Sequence, residues 1–108
     1  MERPKDLHKR FDRDPSQGGT INGAFSAGVA STDAIRTRIN RKRITFINDG
    51  ATVVYLAKGS PAILNSGLRL NANGGSLIDE VDAMGYMYVG PWTAISTVAC
   101  NVCFVEEF

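Results

Sequence analysis

The sequence is poor in the side chains on which most small catalytic and metal-binding sites depend. In 108 residues it has one histidine, His8, and two cysteines, Cys100 and Cys103. Two cysteines are too few for a disulfide scaffold, and in a strand they would face opposite sides because they stand three residues apart. Zinc would need further ligands, and His8 lacks orienting partners. We expect a protein that is not an enzyme and that holds no cofactor or metal.

Long apolar runs are also missing. No stretch of about 18 apolar residues occurs, as a membrane-spanning helix would need. The N-terminus is highly charged and lacks the apolar core of a secretory signal. The sequence therefore predicts a protein that is made in a cytosol and has no membrane partner.

Net charge is nearly absent, at +1, but its distribution is uneven. Residues 1–43 carry a net charge of +5, whereas residues 44–108 carry −4. Five basic residues fall within the eight positions from Arg36 to Arg43, with no acid among them. We interpret this cluster as a surface that docks on an acidic protein partner, because such charges steer association and fix its register. Phosphate binding is the alternative, and nucleic acid is disfavoured because the remaining chain offers no matching basic face.

The sequence divides into two regions that differ in residue composition. Residues 1–40 are charged, glycine-rich or weakly apolar, and such a segment cannot form a core of its own. We expect an extended N-terminal arm there. Over residues 41–108, short β-branched and aromatic stretches alternate with turn residues at the spacing of an all-β fold. We predict a small antiparallel β-sandwich, jelly-roll-like or immunoglobulin-like, or a barrel, over this region.

Two local features of the predicted sandwich are specific enough to test. The Asn48-Asp49-Gly50 turn predicts that residues 43–47 and 52–57 pair as a β-hairpin. Residues 86–89 are aromatic and β-branched, which predicts a further strand with Tyr86 and Tyr88 on one face.

The candidate partner-binding residues combine the basic cluster with apolar side chains suited to an interface. Aromatic residues, methionine and arginine are enriched at interfaces. Leu7 and Phe11 stand four apart, which would place them on one face of a helical turn. The full set is Leu7, Phe11, Phe25, Arg36, Arg38, Arg41, Lys42, Arg43, Tyr86, Tyr88 and Trp92.

Five short motifs suggest a relationship to known proteins. They are Arg-x-x-Ile-x-Phe-Ile-Asn at 41–48, Ala-x-x-Val-Tyr-Leu-Ala-x-Gly at 51–59, Gly-Leu-Arg-Leu-Asn-x-Asn-Gly-Gly at 67–75, Tyr-Val-Gly-Pro-Trp-x-Ala-Ile-Ser at 88–96, and the terminal Val105-Glu106. With these motifs, residues 43–106 resemble small β-sandwich accessory proteins of tailed-bacteriophage virions. The resemblance implies a virion component, either a head decoration (cement) protein or a tail accessory, and it implies no catalysis.

The leading hypothesis is a capsid decoration protein that binds the assembled head lattice through its arm and its sandwich. Its partners would be the major capsid protein or other virion proteins, and we expect self-association, with a trimer favoured. A tail, collar or fibre-attachment protein is the first alternative. The others are a carbohydrate-binding module that uses Tyr86, Tyr88 and Trp92, and a nucleic-acid-binding module that uses Arg36 to Arg43.

Overall fold

A computed structural model describes residues 19–108, and every regular element within them is a β-strand. The strands form two antiparallel four-stranded sheets that pack face to face, which confirms the predicted all-β sandwich. No helix long and apolar enough to cross a membrane occurs in this part of the chain. In chain order the strands are β1 (Thr20–Ala27), β2 (Thr32–Ile35), β3 (Arg43–Asn48), β4 (Val54–Lys58), β5 (Leu68–Leu70), β6 (Gly75–Glu80), β7 (Trp92–Ser96) and β8 (Cys100–Glu107).

The strand order follows from a chain that is folded in half at the β4–β5 connection. The first sheet has the order β1-β8-β3-β6 and the second has the order β2-β7-β4-β5. The first strand therefore pairs with the eighth, the second with the seventh, the third with the sixth and the fourth with the fifth. Every connection between the described strands except β4–β5 crosses from one sheet to the other. This eight-stranded arrangement is a jelly roll.

The core lies between the two sheets and is built from alternate residues of each strand. In β3, Ile44 and Phe46 are fully buried, whereas Ile47 is more than a third exposed. The second sheet supplies large buried side chains that meet them, and the Phe46 and Trp92 ring centroids lie 4.9 Å apart. Alternation of buried and exposed residues is what a sheet with one buried face requires.

The predicted boundary of the arm is wrong, because residues 20–35 are part of the sandwich. β1 pairs with β8 over eight consecutive residue pairs, from Thr20 opposite Glu107 to Ala27 opposite Cys100. Most side chains of this edge strand are small, and Phe25 and Ala27 are the ones that pack on the core. At Gly23 a Cβ atom would lie only 2.8 Å from the Phe104 ring, so the absence of a side chain lets the ring pack there.

The predicted hairpin across Asn48-Asp49-Gly50 does not form. β3 belongs to the first sheet and β4 to the second, and residues 49–53 carry the chain between them. Asn48 directs this crossing from a fully buried position, because its amide donates to the carbonyls of Thr52 and Leu70.

The predicted strand over residues 86–89 is also absent from the structure. These residues belong to the long connection between β6 and β7.

Two deletions test the corrected boundary. Removing residues 1–18 leaves all eight strands, so we expect cooperative urea unfolding with the free energy changed by less than about 1 kcal/mol. Removing residues 1–35 strips β1 and β2 and exposes the edge and inner face of β8, so we expect loss of the cooperative transition. Circular dichroism and urea unfolding would measure both. A folded, cooperative 36–108 fragment would contradict the assignment of β1 and β2 to the sandwich.

Candidate interaction surface

The basic cluster lies at one end of the sandwich, where residues 36–42 cross from β2 to β3. We call this the arginine end. Three backbone hydrogen bonds fix the crossing: Arg38 N–H donates to Val89 O at 2.9 Å, Lys42 N–H to Glu107 O at 2.8 Å, and Val81 N–H to Lys42 O at 3.0 Å. The crossing is thereby held against both the end of β8 and the connection between β6 and β7.

A buried carboxylate organises the arginine end. Glu106 lies on the inner face of β8 and is fully buried, and each of its oxygens accepts from a different arginine. Arg41 Nε donates to Oε2 at 2.8 Å, and Arg38 Nε donates to Oε1 at 3.2 Å. The Arg41 side chain is as buried as its partner, whereas the Arg38 side chain is 23% exposed. Charge-assisted hydrogen bonds of this kind are stronger than neutral ones.

The other nitrogens of the Arg41 guanidinium donate hydrogen bonds to backbone carbonyls. Its Nη1 donates to Tyr88 O at 3.3 Å and to Gly90 O at 3.2 Å, and its Nη2 donates to Arg36 O at 2.8 Å. A planar group with five donors can hold several acceptors at once, which a lysine ammonium at the end of its flexible stem could not reproduce. Arg41 therefore joins β8, the crossing segment and the approach to β7.

Other charges at this end also pair within the chain. Arg43 lies directly opposite both Glu80 and Glu107 in the first sheet, with Nε–O distances of 3.5 and 3.8 Å. Lys58 of the second sheet reaches Asp79 of the first at 3.3 Å, so this pair links the two sheets. Three arginines of the basic cluster, Arg38, Arg41 and Arg43, thus pair with acids from the back half of the sequence.

Aromatic rings complete the interior of this end. Trp92 is fully buried and contacts the Tyr88 ring edge-on, at a centroid distance of 5.7 Å. The Lys58 ammonium lies 5.4 Å from both ring centroids, within cation–π range. The Tyr88 hydroxyl donates to Pro91 O. Burial raises the pKa of this hydroxyl, and the charge of Arg41 opposes the rise.

The exposed apolar side chains at this end stand on two short, well-fixed turns. Ile39 is 78% exposed between Arg38 and Arg41, which are linked by a backbone hydrogen bond. Met84 and Tyr86 are 80% and 70% exposed, and both of their backbone N–H groups donate to Asp82 Oδ1, at 2.8 and 3.0 Å. Because the backbone here is already fixed, binding would order the side chains but not the turns that carry them. We refer to Ile39, Met84 and Tyr86 as the apolar tip.

A groove lies beside the apolar tip, between the two sheets. Its volume is about 770 Å³, and it is bounded on the β2 side by Ile35, Arg36 and Arg38. Phe104 and Glu106, from the inner face of β8, bound it on the other side. Arg36 is exposed and Glu106 is buried, so the groove runs from the surface to the buried ion pair.

The structure places the sequence-predicted residues in three different settings. Arg41 and Trp92 are buried, which corrects the expectation that they contact a partner, and Phe25 faces the core, where its ring packs against Phe46 and Phe104. Arg36 and Tyr86 are exposed, while Arg38, Lys42, Arg43 and Tyr88 are half-buried. Leu7 and Phe11 lie outside the described residues. Sequence reasoning missed Glu106, Ile39 and Met84 as members of this surface, and only the exposed turn around Met84 has a local signal, in Asp82 and Gly85.

Both cysteines of the sequence lie in β8. Cys100 is buried and Cys103 is exposed, which confirms that the two cysteines face opposite sides of β8, and both are free. Among residues 19–108, no group of three or more histidine, cysteine, aspartate or glutamate side chains could hold a metal ion.

Comparison with known proteins found no relative, since no protein-family model, curated protein or solved structure matches this chain. The resemblance to virion accessory proteins accordingly stays a prediction.

The buried ion pair and the exposed one provide a matched test. Arg41→Met leaves Glu106 with one partner and frees three buried or half-buried carbonyl groups, so we expect the free energy of unfolding to fall by about 3–5 kcal/mol. Arg43→Met removes an exposed pair and should cost about 0–1 kcal/mol. Urea unfolding monitored by circular dichroism measures both. Equal effects of the two substitutions would show that the shared carboxylate does not organise this end.

Tyr88 predicts a specific decline in stability at alkaline pH. Because its pKa is raised in the folded state, the folded protein holds the hydroxyl proton more tightly than the unfolded chain, whose tyrosine pKa is about 10. Its contribution is complete below about pH 10 and is lost as the pH rises through the folded pKa. We expect Tyr88→Phe to show a shallower alkaline decline in urea midpoints as the pH rises above about 10. Parallel declines in the two proteins would exclude this role.

Proposed function

We propose that this protein is a non-enzymatic structural component of a tailed-bacteriophage virion, a capsid decoration (cement) protein that binds the assembled head lattice. The arginine end is its binding surface, together with the N-terminal arm. The major capsid protein, or another virion protein, is its partner. The closest alternative within the virion is a tail, collar or fibre-attachment protein, which would present the same surface to a different partner.

The observation that carries this proposal is the exposure of the apolar tip on a rigid frame. Three large side chains stand out from the arginine end, while the charges behind them are paired inside the chain. Exposed apolar side chains grouped at one site mark interaction surfaces, and methionine and aromatic residues are favoured in interface cores. The exit of residues 1–18 from β1 at this same end adds a second point of attachment.

The fold supports the proposal by analogy. Jelly rolls occur in viral capsid proteins, and also in lectins and cupins. Because a fold by itself does not define a function, the choice among these depends on the surface. Trp92 is buried, so the aromatic platform expected of a carbohydrate-binding module is reduced to Tyr86 and the half-buried Tyr88. Arg38, Arg41 and Arg43 are paired with acids of the same chain, which weakens the nucleic-acid alternative.

The location of the protein in purified particles separates the two virion candidates. Quantitative mass spectrometry of purified virions should give copy numbers in the hundreds if the protein decorates the head, because the head lattice repeats its binding site many times. A few copies, or tens, would favour the tail or collar. Absence from purified particles would refute the virion proposal altogether.

Substitutions in the apolar tip test the proposed surface. We expect Met84→Ala combined with Tyr86→Ala to weaken binding to undecorated heads at least tenfold, because central interface side chains of this kind contribute about 2 kcal/mol or more. The matched control is Val98→Ala, since Val98 is also well exposed, at 58%, but lies in the β7–β8 turn at the opposite end. Co-sedimentation with heads measures the affinity. Equal binding of both variants would place the interface elsewhere.

A further inference from the structure

Within residues 19–108 the two sheets end in four edge strands, and three of these have features that oppose pairing with another chain. β5 has only three residues, and β2 has four, with a register shift between Asp33 and Ile35. β6 carries Asp79 and Glu80, and Asp79 points inward, where it pairs with Lys58. Short length, irregular register and inward-pointing charges are known protections of an edge strand.

β1, the other edge of the first sheet, has none of these protections. It runs from Thr20 to Ala27 in unbroken register with β8. Its sequence, Thr-Ile-Asn-Gly-Ala-Phe-Ser-Ala, has no charged residue and no proline. A long, regular and uncharged edge is a template on which another β-strand can pair.

The backbone of β1 presents a row of hydrogen-bonding groups that point away from β8. Phe108 N–H donates to Gly19 O at 2.9 Å, which makes these two residues a hydrogen-bonded pair. Such pairs alternate along an antiparallel ladder, so every second residue from Ile21 faces β8 and the residues between them face outward. The outward-facing residues are Thr20, Asn22, Ala24 and Ser26. In the described part of the chain, no strand pairs with this edge and no backbone hydrogen bond reaches it.

The residues of β1 are arranged symmetrically about Gly23, which favours a second copy of the same strand as the occupant. Apolar side chains, Ile21 and Phe25, stand two positions to either side of Gly23. Hydroxyl side chains, Thr20 and Ser26, stand three positions to either side. A two-fold axis through Gly23 therefore places each type opposite its own type and brings the outward-facing residues of the two strands together. With no charge in the strand, no like charges meet across the axis.

The same register would cover apolar surface at the edge of the sheet. Ile21 and Phe25 share the inner face of β1 and are only half-buried. Phe104 is also half-buried, and its ring lies over Gly23, where a Cβ atom would be 2.8 Å from it. Residues that face each other in an antiparallel pair have Cα atoms about 4.5–5.5 Å apart. The two Phe104 rings would then lie side by side at the axis, flanked by two pairs of Ile21 with Phe25, and such cross-strand pairs stabilise a sheet.

We propose that β1 pairs antiparallel with β1 of a second copy about a two-fold axis at Gly23, which joins the two first sheets into one sheet of eight strands. A two-fold contact closes at two copies, so the assembly is a dimer and not the trimer expected from the sequence. This inference goes beyond the proposed function, and its test needs no virion particle, so either can fail without the other.

The oligomeric state of the full chain tests the proposal. Ala24→Pro removes an N–H group that points away from β8, so the sandwich keeps its own hydrogen bonds while the dimer loses one from each copy. We expect this change to raise the dimer dissociation constant at least about tenfold. Ala24→Ser is the matched control, because it keeps the N–H group and should leave the constant nearly unchanged. Sedimentation equilibrium measures the constant, and circular dichroism confirms that each variant is folded.

Cysteine cross-linking tests the register. With the axis at Gly23, Asn22 of one copy lies directly opposite Ala24 of the other, whereas neither residue lies opposite itself. The background is Cys103→Ser, because Cys103 is exposed and lies opposite Ala24 within the chain. Under mild oxidation we expect a mixture of the Asn22→Cys and Ala24→Cys proteins to form disulfide-linked heterodimers about tenfold faster than either protein alone forms homodimers. Non-reducing electrophoresis and peptide mapping identify the link.

Each outcome decides for or against the strand pair. Concentration-dependent dimers that Ala24→Pro weakens, together with fast cross-linking in the mixture, support the proposal. Monomers at every concentration, a trimer, or a dimer that is equally tight in Ala24→Pro would overturn it. Where Ala24→Pro fails to fold, the cross-linking rates decide alone, and equal rates for the mixture and the single proteins would overturn the proposal.

Discussion

The carboxylate of Glu106 fixes the position of the arginine end of this jelly roll, because it binds two arginines from the crossing segment. It comes from the last strand, and the two arginines that share it come from the crossing between the second and third strands. The Arg41 guanidinium also donates to three backbone carbonyls. One lies in its own segment and two lie in the approach to β7. A buried ion pair of this kind adds less to stability than its attraction suggests, because both charges lose their hydration. Its effect here is positional, since three separate segments must meet for its hydrogen bonds to form.

The internal pairing changes the meaning of the uneven charge in the sequence. A basic front and an acidic back suggested a basic surface waiting for an acidic partner. In the folded chain the first acidic partner of that surface is the chain itself, through Glu80, Glu106 and Glu107. The side chains that remain exposed at this end include Ile39, Met84 and Tyr86, together with Arg36. The arginines thus fix the backbone from which those apolar side chains project.

The sequence predicted the sandwich but not its first two strands or its buried charges, and the reasons are physical. β-Branched and aromatic residues in the sequence predict four of the strands, namely β3, β4, β7 and β8. β1 is not among them, because an edge strand rich in small residues is held by pairing with β8, eighty positions later in the chain. The Asn48-Asp49-Gly50 sequence favours a turn but does not say whether the chain returns in the same sheet or crosses to the other. Arg41 and Glu106 are 65 residues apart, so nothing local marks them as partners.

The central position of β8 in its sheet has a consequence for how the protein is made. β8 lies between β1 and β3, so the first sheet cannot close until residues 100–107 have been synthesised. While the ribosome is still at work, β1 has no strand to pair with and β3 has only β6. Long-range pairing of this kind slows folding, and unpaired strand edges expose the nascent chain to association with other molecules. Completion of the first sheet therefore waits for the synthesis of β8, although β1 and β3 appear much earlier in the chain.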